Sequence, residues 1–386
     1  MIFDDIERDY HGTARHREDE YSFLNRSALP AAAEVRALIE KWADAYPADE
    51  RANLRARARA EFDAVFFEMF LHALLRALGC TVTVHPEVNP AKSTRPDFLA
   101  RFPSGEEVVV EAICPTDQSY ADSAHRARLD YLYDEIGKVR SPNYFLHLRE
   151  ITGLAKRHPS GRKLRAFIEE KLAELDPDQI GELALQGGLD AMPTWIFQDG
   201  EFELEFSIWP KAPATRGQGG NPIGVYPMEH RMGGLSDTLK TAVIRKATRY
   251  GELGRAYVVA VNTLTMFGND RIDEMEALFG DEEFYGFRDT EGLQMIRKAN
   301  GVWQGPTGVQ NRRLSAVLFA RVVPWNLPQA HLRLYHNPFA THPCLRLPWR
   351  IPQAIPSDSK MTWHDGIAPG ELLDLPPSWP GKLFDK

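Results

Sequence analysis

From Phe62 to Leu78 the chain is apolar at nearly every position, broken by Asp63, Glu68, His72 and Arg76. The run is too long for a strand and contains no Pro. It predicts the buried second half of a helix over about 52–78, with Gly79 as its left-handed stop. An earlier helix is predicted over Ala31 to Tyr46. Cys80 to Val88 alternates and is rich in β-branched residues, the pattern of a strand. Pro96 to Phe102 reads as a second strand, Pro103-Ser104-Gly105 as a three-residue turn with Gly at its left-handed position, and Glu106 to Cys114 as the return strand. Further on, Leu235 to Tyr250 is amphipathic with helical period. Ala256 to Asn262 is apolar without alternation, which predicts a central strand buried on both faces. A short helix over Asp270 to Phe279 and strands over Leu314 to Val323 and His331 to Tyr335 complete this part.

The stretch between these two groups reads as an insertion. It contains a charged helix at about 121–139, a strand at 143–150, a helix at 162–175 and a strand pair from Trp195 to Trp209 turning at Asp199-Gly200. A Gly-rich loop follows at 216–222, without the Gly-Lys-Ser/Thr of a phosphate-binding loop. The expected organisation is an N-terminal helical region (1–50), a first core segment (51–115), an inserted α/β region (116–234), a second core segment (235–342) and a Pro-rich tail (343–386), irregular and laid on the surface.

Composition narrows the class. The 386 residues are 43% hydrophobic and 26% charged, as in an ordinary globular protein, and the net charge of −8 argues against a generally basic, nucleic-acid-coating surface. It leaves room for a local basic groove, and Arg51, Arg55, Arg57 and Arg59 cluster in one short segment. Cys80, Cys114 and Cys344 are odd in number and fit neither a zinc module nor a disulfide framework. With no secretory pattern at the start and no apolar run of spanning length, a cytoplasmic protein with no membrane partner is expected.

The hairpin carries the first candidate chemistry. If Phe102 pairs with Glu106, Leu99 lies opposite Val109 and Asp97 opposite Glu111, on one face and roughly 5 Å apart at Cβ. Two carboxylates so placed repel unless one takes a proton or a cation sits between them, and a hard divalent cation with oxygen ligands is the direct remedy. The alternative is that Asp97 is a turn residue and Glu111 marks where the strand surfaces. Glu68, inside the apolar helix, needs a partner, or else falls on a narrow solvated stripe with Glu61 and His72. Lys246 falls within the stripe Leu235, Leu239, Ala242, Val243, Ala247 and Tyr250. It either points into a site built by the neighbouring sheet or snorkels to solvent; Lys240 falls at the stripe's edge. His331, His336 and His342 lack zinc-like spacing, and His336-Asn337-Pro338 reads as a turn. Trp195, Trp209, Trp303 and Trp325 suit either base stacking or core packing.

Glu68 on a helix, a strand, Pro96-Asp97, a hairpin, Val109-Val110-Glu111-Ala112-Ile113, then Lys246 on a helix before a buried strand: this order resembles the PD-(D/E)XK nuclease superfamily. The likeness covers roughly residues 55–115 and 235–280. It implies an α/β (α+β) fold with a restriction-endonuclease-like core, a mixed central sheet flanked by helices, here with a large insertion and a C-terminal extension. It further implies a Mg²⁺- or Mn²⁺-dependent endonuclease. Asp97, Glu111 and the backbone carbonyl of Ala112 would hold the metal, with Glu68 directly or through water. The substrate would be nucleic acid, DNA ahead of RNA, in a bacterial defence or repair setting, with a homodimer or a protein partner open. The chain departs from the motif at its Lys, whose position is Ile113. Lys246, with Lys240 second, is the candidate to replace it in space. The alternative is a catalytically degenerate nuclease fold serving as a nucleic-acid-binding or assembly module.

Overall fold

The computed structural model describes residues 1–14, 18–89, 93–115, 128, 131–133, 135–154, 159–217, 222–225, 235–264, 271–285, 294–357 and 360–382. The chain divides into two compact units, Met1–Thr116 with Gly233–Lys386, and Asp117–Met232.

In chain order the first unit opens with helices α1 (Glu20–Arg26), α2 (Pro30–Asp44), α3 (Arg51–Ala58) and α4 (Phe62–Ala77), then strands β1 (Thr81–Val84), β2 (Phe98–Arg101) and β3 (Glu107–Ile113). The second unit holds β4 (Tyr144–Thr152), α5 (Gly161–Ala173), α6 (Pro177–Gly187), β5 (Thr194–Asp199), β6 (Phe202–Pro210) and β7 (Ile223–Val225). The first unit resumes with α7 (Leu235–Ala247), β8 (Ala256–Asn262), α8 (Arg271–Phe279), the short pairs β9 (Glu282–Tyr285) with β10 (Gln294–Arg297) and β11 (Gln304–Gly305) with β12 (Gly308–Val309), then β13 (Ala316–Arg321), β14 (His331–His336), β15 (Gln353–Ser357), β16 (Lys360–His364) and α9 (Pro369–Leu372).

The protein is thus a mixed α/β molecule with an eight-stranded mixed sheet, ordered β1-β2-β3-β8-β13-β14-β15-β16, and a four-stranded sheet, ordered β5-β6-β4-β7. β1, β2 and β3 form an antiparallel meander, and β3, β8 and β13 run parallel. Alternation along β3 feeds two cores. Val108, Val110 and Ala112 join α4 in one, while Val109 and Ile113 join Leu239, Val243 and Tyr250 in the other. β8, between two parallel neighbours, is buried at all seven positions and has the bounds its unalternating sequence predicts. The second unit builds its own core from Leu146, Leu148, Leu164, Ile168, Phe206 and Ile208.

Three expectations need correction. The helix predicted over 52–78 is two, α3 and α4. Glu61 leaves helical geometry (φ −137°, ψ 47°), and its N–H donates to the carbonyl of Arg57 (2.8 Å). The strand from Cys80 ends at Val84, because His85 turns the chain with φ 44° and Pro86 follows. The tail beyond 343 is not merely irregular: β15 and β16 extend the main sheet, and α9 follows them. As expected, a turn follows His336: His336 closes β14 with its Nε2 2.8 Å from Gln353 Oε1, and Asn337 Oδ1 accepts the Phe339 N–H (2.9 Å). The charged helix at 121–139 and the Gly-rich loop at 216–222 fall largely outside the described residues. Gly79 (φ 87°) and Gly105 (φ 96°) occupy the left-handed positions predicted for them.

Candidate active site

The β2–β3 ladder pairs Leu99 with Val109 and Phe98 with Val110, the expected register without a bulge. Asp97, directly before β2, stands where one further step of this register would set it opposite Glu111. Asp97 is fixed at both ends of its residue: its carbonyl accepts the His85 N–H (3.0 Å), and Oδ2 accepts the Ala112 N–H (2.6 Å). Burial first, then the charges of Glu111 and Glu68, push its carboxyl up to about 8.

Glu111 is 1% exposed, and it is not bare. Its Oε1 accepts from Lys246 Nζ (2.5 Å) and Arg249 Nη1 (3.1 Å), and its Oε2 from the Tyr250 hydroxyl (2.6 Å). Arg249 and Tyr250 follow the end of α7, where the Arg249 N–H donates to the Lys246 carbonyl (3.1 Å) in a turn that keeps all three side chains at Glu111. The Tyr257 hydroxyl, donating to the Lys246 carbonyl (2.9 Å), ties the end of α7 to the sheet. Tyr250 is itself buried, edge-on to Tyr257, with its hydroxyl 3.1 Å from the Arg95 carbonyl. Burial and the adjacent Glu111 carboxylate raise its phenol well above the ordinary range. Lys246 therefore points at the sheet rather than snorkelling. Lys240 pairs with Asp237 one turn back and is not brought to Glu111.

Glu68 sits on the opposite face of the sheet from Glu111. Its carboxylate is held by the Arg57 guanidinium through two parallel bonds, Nη2–Oε1 (2.6 Å) and Nη1–Oε2 (3.0 Å). It does not lie on a solvated stripe, since Glu68 and His72 are 8% and 3% exposed. His72 packs at a tilt of 45° against Tyr46 (centroids 4.4 Å), and burial pushes its imidazole down to about 4. Among the described residues, His72 Nδ1 and the Tyr46 hydroxyl are buried without a hydrogen-bond partner. The Tyr46 phenol is raised by burial and by the charges of Glu68 and Asp97, which places this polar pocket beside the acids.

The structure thus brings Asp97, Glu111, Ala112 and Lys246 together. Glu68 is near enough for Asp97 to feel its charge, yet its oxygens are taken by Arg57. Ala112 enters through its N–H. Among the described residues no three His, Cys, Asp or Glu side chains converge as a metal cluster. Ile113 packs in the apolar core beside α7, so the motif's Lys position is closed to a charge. Tyr250, Arg249 and Arg57 were not predicted as site residues. Their signal was the i, i+3, i+4 spacing from Lys246, and the Arg-rich segment that the break before α4 folds back.

The remaining candidates lie elsewhere. The Ser315 hydroxyl donates to the His342 carbonyl (2.5 Å), and His331 Nε2 lies 3.4 Å from Glu274 Oε1. The three histidines thus hold separate contacts. Trp303 is fully buried, Trp325 Nε1 donates to Glu20 Oε1 (2.6 Å), Trp195 packs on Phe206, and Trp209 is partly exposed. The three cysteines are free. No helix among the described residues is long and apolar enough to cross a membrane. No protein-family model, no curated protein and no solved structure matches the chain.

Proposed function

We propose that the chain is a metal-dependent nuclease that hydrolyses phosphodiester bonds in nucleic acid, DNA ahead of RNA, from a restriction-endonuclease-like core. The order α4-β1-β2-β3, then α7 and a β8 parallel to β3, supports it, as does Asp97 lying near enough to Glu111 to feel its charge. The observation that carries the reading is the contact of Lys246 with Glu111, 135 residues apart in sequence and 2.5 Å apart in space. It supplies the cation that Ile113 removes from the motif. A lysine and a glutamate desolvated together beside a second acid form a costly arrangement, of the kind concentrated at reactive sites.

The donor chemistry fits a hard divalent ion. Two carboxylates, with the Ala112 backbone carbonyl that the resemblance adds, would be oxygen ligands, and a cation beside them would relieve the repulsion that adds to burial in raising Asp97. Mg²⁺ or Mn²⁺ would be held by Asp97, Glu111 and the Ala112 carbonyl, and would supply Lewis acidity to the scissile phosphate and its attacking water. Within the chain, Lys246 offsets charge that develops on the phosphate. Tyr250 and Arg249 fix the rotamer of Glu111. Arg57, oriented by Glu68, sets a second guanidinium near the acids.

A degenerate module that binds nucleic acid without cutting it is the second reading. Ile113 in the core, and a Glu111 already satisfied by three donors, favour it. Incubation of supercoiled, linear and single-stranded DNA and of RNA with Mg²⁺ or Mn²⁺, beside Glu111→Ala, separates the two. Cleavage by the native chain alone supports the nuclease. No cleavage, with no metal-induced rise in Tm, supports the module.

A further inference from the structure

The main sheet carries a second polar site, away from the acids. β14, β15 and the segment after β16 line an open cleft of about 390 Å³. Arg271, His331, Arg333 and His364 line it with Trp363, and Asp365 is the one carboxylate among the lining residues. Arg333 is held rigidly: its Nη1 donates to Oε2 of Glu274 (2.6 Å), a fully buried acid that also accepts the Tyr335 hydroxyl (2.6 Å). One edge of that guanidinium is thereby anchored on the protein side of the cleft wall. Arg271 has no carboxylate within 4 Å among the described residues, and its guanidinium stacks over the Trp363 ring, 4.4 Å from the centroid. Asp365 is exposed, so water screens its opposition to this cationic surface.

We infer that this cleft binds the phosphate and attached planar base of a nucleotide. Arg271 and Arg333 supply the fork geometry that suits phosphate oxygens. The Arg271 guanidinium, laid over a Trp363 ring that also packs edge-on to Tyr335, offers a flat cationic plane of the kind on which bases stack. The volume exceeds what a lone phosphate needs and sits at the lower end of the range for small organic ligands. A free 5′-mononucleotide and the 5′-phosphorylated end of a strand present the same chemistry. The inference does not depend on cleavage by the acidic site.

Calorimetry on the intact chain in EDTA tests it, with 5′-AMP, adenosine, inorganic phosphate and an eight-nucleotide single strand with and without a 5′-phosphate as probes. One of the two phosphorylated nucleotide probes binds at least tenfold more tightly than adenosine and than inorganic phosphate. Arg271→Gln and Trp363→Leu, both at exposed positions, each weaken that binding at least tenfold with Tm unchanged. Tighter binding of AMP assigns the site to free nucleotide, and tighter binding of the phosphorylated strand assigns it to a strand end. Absence of binding by both phosphorylated probes overturns the inference, and so does undiminished binding by the two variants.

Discussion

Arg57 and Glu68 meet through two parallel hydrogen bonds although eleven residues separate them. On one continuous helix they would stand about 16 Å apart along the axis. The break between α3 and α4 brings the arginine back over the face of α4. That single contact gives the buried carboxylate its partner and carries an arginine to the edge of the acidic site.

Arg57→Ala leaves Glu68 buried without its cation. The expected loss is about 2–3 kcal/mol, reduced from the full cost of a broken buried pair because Arg57 is partly solvated. Adding Glu68→Leu recovers most of it. Urea unfolding of the two variants and the parent measures both steps. A double variant no more stable than Arg57→Ala contradicts this account.

If the proposed metal site is right, Lys246→Ala removes the ammonium from Glu111 and leaves both proposed ligands, Asp97 and Glu111, in place. Cleavage falls by about 10²–10³ in kcat, while Mn²⁺ affinity by calorimetry holds. Lys240→Ala leaves both unchanged. Full activity in Lys246→Ala removes that lysine from the mechanism.

Ile113→Lys does not rebuild the motif. The new ammonium enters an apolar core with no acceptor other than the crowded Glu111, and stability falls by about 3 kcal/mol or more. Restored or enhanced cleavage with an unchanged Tm would show that the position is open to solvent after all.

Asp97 keeps its proton up to about pH 8 in the fold, against 3.8 for an ordinary aspartate. Between those values the native chain binds more protons than the unfolded one. Its contribution to stability is therefore full below about pH 4 and is lost as pH rises through about 8. In EDTA, the stability difference between the native chain and Asp97→Asn falls across pH 5–8, at up to about 1.4 kcal/mol per pH unit. Saturating Mg²⁺ flattens the slope. A difference that does not change with pH places Asp97 in an ordinary solvated setting.

Tyr250→Phe deletes one of the three donors on Glu111 and costs about 1–2 kcal/mol by thermal unfolding. Tyr257→Phe, which loses a bond to the Lys246 carbonyl, costs about 1 kcal/mol by the same measurement.

The legible parts of the fold were those where one physical signal decides the outcome. β8 lacks alternation because both its faces are buried, and the β2–β3 register followed from one Gly turn. Lys246 was found because its angular position set it in an apolar stripe. The break at 59–61 was hidden, since Arg59, Ala60 and Glu61 are all good helix formers and only the tertiary Arg57–Glu68 pairing shows what the break achieves. β15 was hidden by Pro352 and Pro356. It joins the sheet through two parallel pairs, Leu334 with Gln353 and Tyr335 with Ala354, a contact no local pattern announces. Tyr250 looked like core because a phenol in an apolar stripe shows its ring, not its hydroxyl.

Val110 and Val258 are neighbours across the β3–β8 ladder and 148 positions apart in the chain. At translation rates of about 5–20 residues per second, β3 emerges and waits roughly 7–30 s for its partner strand. Throughout that interval the β1–β3 meander presents Val108, Val109 and Val110 on an unpaired edge, open to other nascent chains. Assembly of the acidic site thus waits on the part of the chain beyond the insertion, and the length of that insertion sets the delay.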